Sequence, residues 1–354
     1  MKILYVALKY DYGKKERGYS FEHNNFYDAL LALDGGRHQI TYFAFDEIMR
    51  AAGRAAMNER LIETVKTIRP DLTFFCIFGD EIDKKTLAAV KNLKLTTTFN
   101  WFTDDHWRFD NFSKYWCWNF DYIGTTDSHA PANYARIGYE HCVKTQWACN
   151  THMYTPSGKA ISHDLTFVGQ AHGNRPRVAA QIRQAGITVE CWGSGWPHGR
   201  ISQEKLIEIF STSKINLNLT NSSDIISKKS IAKIFVYRRS DETYHAYSPL
   251  AWLSNITSLL HKRREQIKGR NFEVPGTGGF LLTADADNLR DYYQDGKEIV
   301  IFKDTADLIE KARYYISHDA EREAIAKAGY ERTLREHTYE KRFKDIFKAM
   351  KLQI

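Results

Sequence analysis

The sequence predicts an α/β protein with two parallel, doubly wound sheets. Two observations carry this. Short apolar runs of strand length alternate with amphipathic stretches of helical spacing along nearly the whole chain. A polar connection at 151–162, carrying Pro156 and Gly158, separates one such series from a second.

In the first series, residues 3–8 read as an apolar strand. A polar loop follows, and 21–33 shows helical spacing at Phe26, Ala29, Leu30 and Leu33 before Gly35-Gly36 ends it. Strands are predicted at 39–45, 72–78, 95–101 and 122–125. Helices are predicted at 51–68, 84–93 and 130–137, the first stopped by Arg69-Pro70-Asp71. In the second series, strands fall at 165–168, 189–192, 215–219, 280–282 and 298–302. Helices fall at 177–185, 203–211, 286–293, 306–317, 320–336 and 339–351.

Composition narrows the class. The 354 residues are 43% hydrophobic, enough for sizeable cores and too many for disorder. No apolar run approaches the roughly 20 residues of a membrane span. The start MKILYVALKYDYG reads as a first strand and lacks the length and cleavage site of a signal peptide. Five scattered cysteines without a C-x-x-C pair suggest reduced thiols in a cytoplasmic protein, with no zinc site. A net charge of +7 permits an anionic partner without naming one.

Ligands of doubly wound sheets bind beyond the carboxyl ends of the strands. Three places there carry chemistry in the second series. The stretch 265–283 holds Glu265 and Glu273, a cationic turn Lys268-Gly269-Arg270, and then Gly276, Gly278 and Gly279 before an apolar strand. Pro275 allows only a short helix here. A helix starting near Arg270 would turn its free N–H groups and positive end toward the same space as Lys268 and Arg270, a place for a diphosphate. Glu273 could accept hydrogen bonds from a sugar. Gly169, Gly173 and Arg175 form a second plausible phosphate cradle, matching neither the P-loop nor G-x-G-x-x-G. Gly193–Trp196, with Arg200, lies after the strand at 189–192.

In the first series, Ser20 could cap a helix with His23 at its third position. Either Glu22 or His23 handles an acceptor hydroxyl, or both are polar residues of a solvated first turn. The loop 102–109 brings Asp104, Asp105 and His106 among aromatics. It suits a sugar site, with carboxylates for hydroxyls or a proton; otherwise Asp-Asp is a helix cap and the aromatics are core. Adjacent side chains rarely converge on one ion, so no metal site is expected there.

Residues 222–264 stand apart. They hold eight Lys/Arg and three Asp/Glu, +5 of the chain's +7, and end in an amphipathic piece at 250–260 beside His261–Arg264. They read as a docking surface for an anionic acceptor or membrane face, or as a solvated insertion. No nucleic-acid recognition motif accompanies them.

The second half resembles the CgeB-like glycosyltransferases, a branch of the bacterial GT-B class. The resemblance rests on Gln266-Ile267-Lys268-Gly269-Arg270-Asn271-Phe272-Glu273-Val274-Pro275-Gly276, Gly278-Gly279-Phe280-Leu281-Leu282-Thr283, Gly296-Lys297-Glu298-Ile299-Val300, Ile325-Ala326-Lys327-Ala328-Gly329 and His337-Thr338-Tyr339-Glu340-Lys341-Arg342. A softer match joins Asn100-Trp101-Phe102-Thr103-Asp104-Asp105 to the acceptor domain of such enzymes. The resemblance implies two Rossmann-like domains facing across a cleft and a C-terminal helix crossing back to the first. The expected division is 1–155 plus 338–354 for the acceptor side, and 156–337, with the insertion at 222–264, for the donor side.

It further implies transfer of a sugar from a nucleoside diphosphate sugar to an acceptor hydroxyl on protein, glycan or lipid-linked glycan. Glu265 and Glu273 match the spacing of the E-x7-E pair in similar retaining enzymes, where the second glutamate binds the ribose and the first meets the donor sugar. Arg270, Lys268 and Arg175 would hold the diphosphate, so neither metal nor other cofactor is expected. Trp196 and Arg200 would lie near the base. A non-catalytic nucleotide-sugar binding protein and a sugar-nucleotide epimerase on the same plan are the alternatives. A cytoplasmic location is expected, with peripheral contact to the inner membrane face through 222–264 as one reading.

Overall fold

The computed structural model describes residues 1–220, 228–239 and 243–352. The chain divides into two compact units. The first comprises Met1–Gln146, Ile225–Lys262 and Glu340–Ile354; the second comprises Trp147–Asp224 and Arg263–Tyr339.

The first unit is built on six parallel strands: β1 (Lys2–Ala7), β2 (Gln39–Ala44), β3 (Leu72–Cys76), β4 (Thr97–Phe102), β5 (Tyr122–Thr125) and β6 (Cys142–Lys144), in the order β2-β1-β3-β4-β5-β6. Every residue of β3 is buried, as expected of a parallel sheet covered on both faces. The sequence reading missed β6, a three-residue edge strand too short and too polar to announce itself. Helix Phe45–Ile68 begins six residues earlier than spacing predicts and is kinked at Gly53, whose φ is 83°. The helical stretch after Ser20 contains a π-helical turn at His23–Tyr27. Such turns often mark functional sites.

The C-terminal helix Tyr339–Ala349 packs on this unit through Phe343, whose ring lies 6.0 Å from Phe26 and 5.8 Å from Phe74. Its Lys344 pairs with Asp34 at 2.8 Å.

The insertion also belongs to the first unit, whereas the sequence reading put it in the donor domain. It forms helix Lys228–Phe235, a hairpin of Val236–Arg238 against Tyr244–Ala246, and helix Pro249–His261. Contacts explain the assignment. Arg239 Nε donates to Asp80 Oδ2 at 2.7 Å, and Asn111 Nδ2 donates to Asn255 Oδ1 at 3.2 Å. Neither partner is foreseeable from local sequence. The part of the insertion at 222–227 and 240–242 lies outside the described residues.

The second unit has five parallel strands. They are β7 (His163–Val168), β8 (Glu190–Trp192), β9 (Ser213–Asn218), then Leu281–Ala284 and Val300–Phe302. The spatial order is Val300–Phe302, Leu281–Ala284, β9, β7, β8. Its core gathers Leu165, Phe167, Ile182, Ile215, Leu282 and Leu308. No described helix is long and apolar enough to cross a membrane.

Candidate functional site

In the second unit, two loops at the carboxyl edge of the sheet are held against each other by glycines. Gly193 has φ 125°, and a Cβ there would sit 2.2 Å from the Gly169 carbonyl oxygen. Only a glycine at 193 permits so close an approach. Gly169 N donates to Trp192 O, Ala171 N to Ser194 O and Trp196 Nε1 to Gly169 O, each at 2.9 Å. Gly173 takes φ 64° just before the helix Arg175–Gln184. Arg175 is anchored by its own loop and the end of β9: Nη1 donates to Gln170 O at 3.2 Å and Nη2 to Leu219 O at 3.0 Å. Its Nε is buried without a partner.

The Lys268–Arg270 turn reaches the same edge through a buried amide network that sequence reading missed. Asn218, the last residue of β9, donates from Nδ2 to Asn271 Oδ1 and Thr283 Oγ1, both at 3.1 Å. Asn271 Oδ1 also accepts the Lys268 N–H at 2.9 Å. Buried polar groups of this kind fix a geometry when all are satisfied. The signal was present as Asn218 and Thr283, polar residues buried inside strands. A helix does start at Arg270, and it runs only to Gly276, as Pro275 requires.

Two arginines from separate loops are therefore anchored at the end of one strand, Arg175 through Leu219 and the Arg270 turn through Asn218 and Asn271. Burial, and then the charge of Arg270, push the Arg175 guanidinium down to about 10.

The glutamates divide as follows. Glu273 is completely buried and is the ion-pair partner of Arg270, with its Oε1 left unpartnered. As it stands, its carboxylate positions Arg270 and offers no exposed oxygen to a ribose. Glu265 is half-buried, and its Oε2 accepts from Thr220 Oγ1 at 2.8 Å. Gly278 takes φ 73° in the turn that ends the short helix. Gly279 serves packing: a Cβ there would meet the Phe210 carbonyl oxygen at 2.6 Å. Trp196 is pinned to Gly169, while Arg200 is exposed.

The first unit has its own cavity of about 900 Å3 beyond the ends of β1, β3 and β4. Glu22, Glu81 and Asp104 line it together with Arg50, Arg54 and Arg108. Ser20 Oγ accepts the His23 N–H at 3.0 Å, the expected cap, and donates to Leu8 O at 2.7 Å. Glu22, two residues on, lines the cavity. Burial raises the Glu22 carboxyl to about 7, against lowering by backbone and Ser20 hydrogen bonds. That value suits proton transfer near neutrality.

His23 goes elsewhere. It stacks on Tyr19 with centroids 4.1 Å apart, and burial, then Lys9, lower it to about 4. Asp104 lines the cavity. Asp105 does not; it is buried, accepts from the Tyr134 hydroxyl at 3.1 Å, and is raised by burial to about 6. So of the four expected acceptor-side residues, Glu22 and Asp104 share the cavity, and His23 and Asp105 belong to packing. Glu81 was missed, although it follows a strand end. Its carboxylate accepts the N–H groups of Phe78 (3.3 Å) and Gly79 (2.7 Å), and burial raises its pKa.

Comparison with known proteins agrees with the resemblance read from the sequence. A glycosyl transferase-like family model matches residues 236–348. The chain is 22% identical over 280 residues to spore protein CgeB of Bacillus subtilis (strain 168), covering 78% of this chain and 81% of that one. Among solved structures, Anabaena HepE in complex with UDP aligns with TM-score 0.58 at 10% identity, covering 99% and 100% of the two chains. Sucrose-phosphate synthase from Thermosynechococcus elongatus gives 0.58 at 10% identity over 99% and 98%. The lipopolysaccharide outer core galactosyltransferase WaaB gives 0.54 at 12% identity over 99% of each. The fold is that of GT-B glycosyltransferases.

Proposed function

We infer that this chain is a CgeB-like glycosyltransferase that moves a sugar from a nucleoside diphosphate sugar to an acceptor hydroxyl. The single observation that carries the donor assignment is the anchoring of two cationic loops at one sheet edge, Arg175 through Leu219 and the Lys268–Arg270 turn through Asn218 and Asn271. HepE was solved with UDP and with UDP-glucose, which makes a uridine diphosphate sugar the first donor to test.

In this reading, Arg175, Arg270 and Lys268 bind the diphosphate. Their charge stabilises the leaving nucleotide as the glycosidic bond to phosphate breaks. The guanidinium groups thereby take the part that a divalent cation plays in other transferases. Glu273 keeps Arg270 charged and oriented. Trp196 and Arg200 flank the base. Glu22, which lines the same cavity as Asp104, meets the acceptor and accepts the hydroxyl proton. The acceptor is a glycan, protein or lipid-linked glycan. Five unpaired cysteines fit a reducing compartment, and we place the protein in the cytoplasm.

The test is NMR of a donor panel with and without candidate acceptors. Acceptor-dependent release of nucleoside diphosphate supports transfer. A changed sugar without acceptor would instead mean epimerisation. Donor binding with no turnover under any acceptor would mean a binding protein.

A further inference from the structure

We propose that the insertion docks this protein on a bilayer of anionic phospholipid. The proposal concerns a surface apart from the donor and acceptor residues, and it stands whether or not transfer is demonstrated.

Helix Pro249–His261 is built inside out. Its buried positions are polar, Asn255 and Ser258. Its outward positions are apolar: Leu250 is 94% exposed, Leu253 73%, Leu260 55% and Ile256 42%. The inward face is secured by polar contacts. Asn255 Nδ2 donates to Ile234 O at 2.9 Å, and Asn255 Oδ1 accepts from Asn111. A surface helix of an ordinary globular domain shows the reverse pattern, apolar toward the core and polar toward water. The neighbouring helix Lys228–Phe235 extends the apolar surface with Ile231 and Phe235, and Phe235 meets Trp252 edge-on at 5.1 Å. Clustered exposed apolar side chains of this size mark a docking surface.

Charge identifies the occupant. Residues 222–264 carry eight Lys/Arg against three Asp/Glu, a net +5. Lys233 and Arg238 are exposed beside the apolar side chains, and the Lys262 ammonium lies 4.8 Å from the Trp107 ring centroid. A soluble polyanion would need the cations and leave the leucines unexplained. A second copy of this chain, meeting the same face by two-fold symmetry, would bring like charges together. Apolar side chains with interspersed cations and a tryptophan suit the boundary between acyl chains and anionic headgroups. The surface would hold the enzyme at a bilayer, where a lipid-linked acceptor is found.

Co-sedimentation with phosphatidylcholine vesicles, with and without phosphatidylglycerol, tests this. The intact protein is expected to pellet with the phosphatidylglycerol vesicles and to be weakened by salt. A Leu250→Glu, Leu253→Glu variant is expected to stay in the supernatant. A Lys233→Gln, Arg238→Gln variant is expected to bind about fivefold more weakly for each cation removed. Leu250 and Leu253 are largely exposed, so the leucine variant should match the parent in unfolding midpoint and in soluble nucleotide-sugar binding. The proposal is overturned if the parent ignores anionic vesicles, or if the leucine variant binds as well as the parent. It is also overturned if the parent forms a dimer that the leucine variant abolishes and binds no vesicle.

Discussion

Replacing Glu22 by Gln keeps shape and removes the charge. In the folded chain the Glu22 carboxyl is raised from 4.5 to about 7, chiefly by burial. At 1.36 kcal/mol per pKa unit the difference corresponds to about 3 kcal/mol. The direction follows from proton uptake. The folded state holds the proton more tightly than the unfolded chain, so ionising Glu22 costs stability. That cost is absent below about pH 4.5, grows as pH rises, and is complete above about pH 7. Glu22→Gln should therefore equal the parent near about pH 4 and exceed its stability by up to about 3 kcal/mol near about pH 8.5. Urea unfolding followed by circular dichroism at both pH values measures the difference. Transfer should behave oppositely. The parent rate should rise with pH through an apparent pKa near 7, and the variant should lose roughly 10²–10⁴-fold at its optimum. A stability difference that does not change with pH would refute the burial argument. An unchanged rate profile would remove Glu22 from the chemistry.

Gly193→Ala should cost about 2–4 kcal/mol, because neither the Gly169 backbone nor a φ of 125° accommodates a Cβ; a thermal melt reports it, and an unchanged melt would contradict the close approach. Asp105→Asn should change stability by about 1 kcal/mol through its Tyr134 contact and leave kcat close to parental. A fall in kcat of roughly a hundredfold would return Asp105 to the active site. Arg270→Ala should destabilise the fold by about 3–5 kcal/mol, since it strands the buried Glu273 carboxylate. Chelation by EDTA should leave transfer unchanged if the arginines carry the phosphate charge; strict dependence on an added divalent cation would argue against that role.

Much of the fold was legible in the chain because parallel strands buried on both faces leave continuous apolar runs. Residues 3–8 and 72–78 show this plainly. The edge strand β6 and the early start of helix Phe45–Ile68 were not legible, since neither differs from a loop in its periodicity. At the candidate site, Arg175, Arg270 and Glu22 could be read from position alone, after a strand end or at a helix start. What each side chain faces could not. Glu22 and His23 are adjacent, yet Glu22 lines the cavity while His23 stacks on Tyr19. Asp104 and Asp105 separate similarly, one lining the cavity and one bonded to Tyr134. The spacing of Glu265 and Glu273 carried no information about burial, and burial is what turns Glu273 toward Arg270. The insertion was legible as basic and amphipathic. Its attachment to the first unit depends on distant partners, Asp80 and Asn111.

The proposed anion site at Arg175 and Arg270 is most directly tested by calorimetric titration of uridine diphosphate into the parent and into Arg175→Gln. Arg175 has no buried carboxylate depending on it, so the variant should keep its fold, as a melt will show. Losing one charge-assisted contact should weaken binding by roughly 10–100-fold. Parental affinity in a folded Arg175→Gln protein would contradict the assignment of this sheet edge to the donor diphosphate.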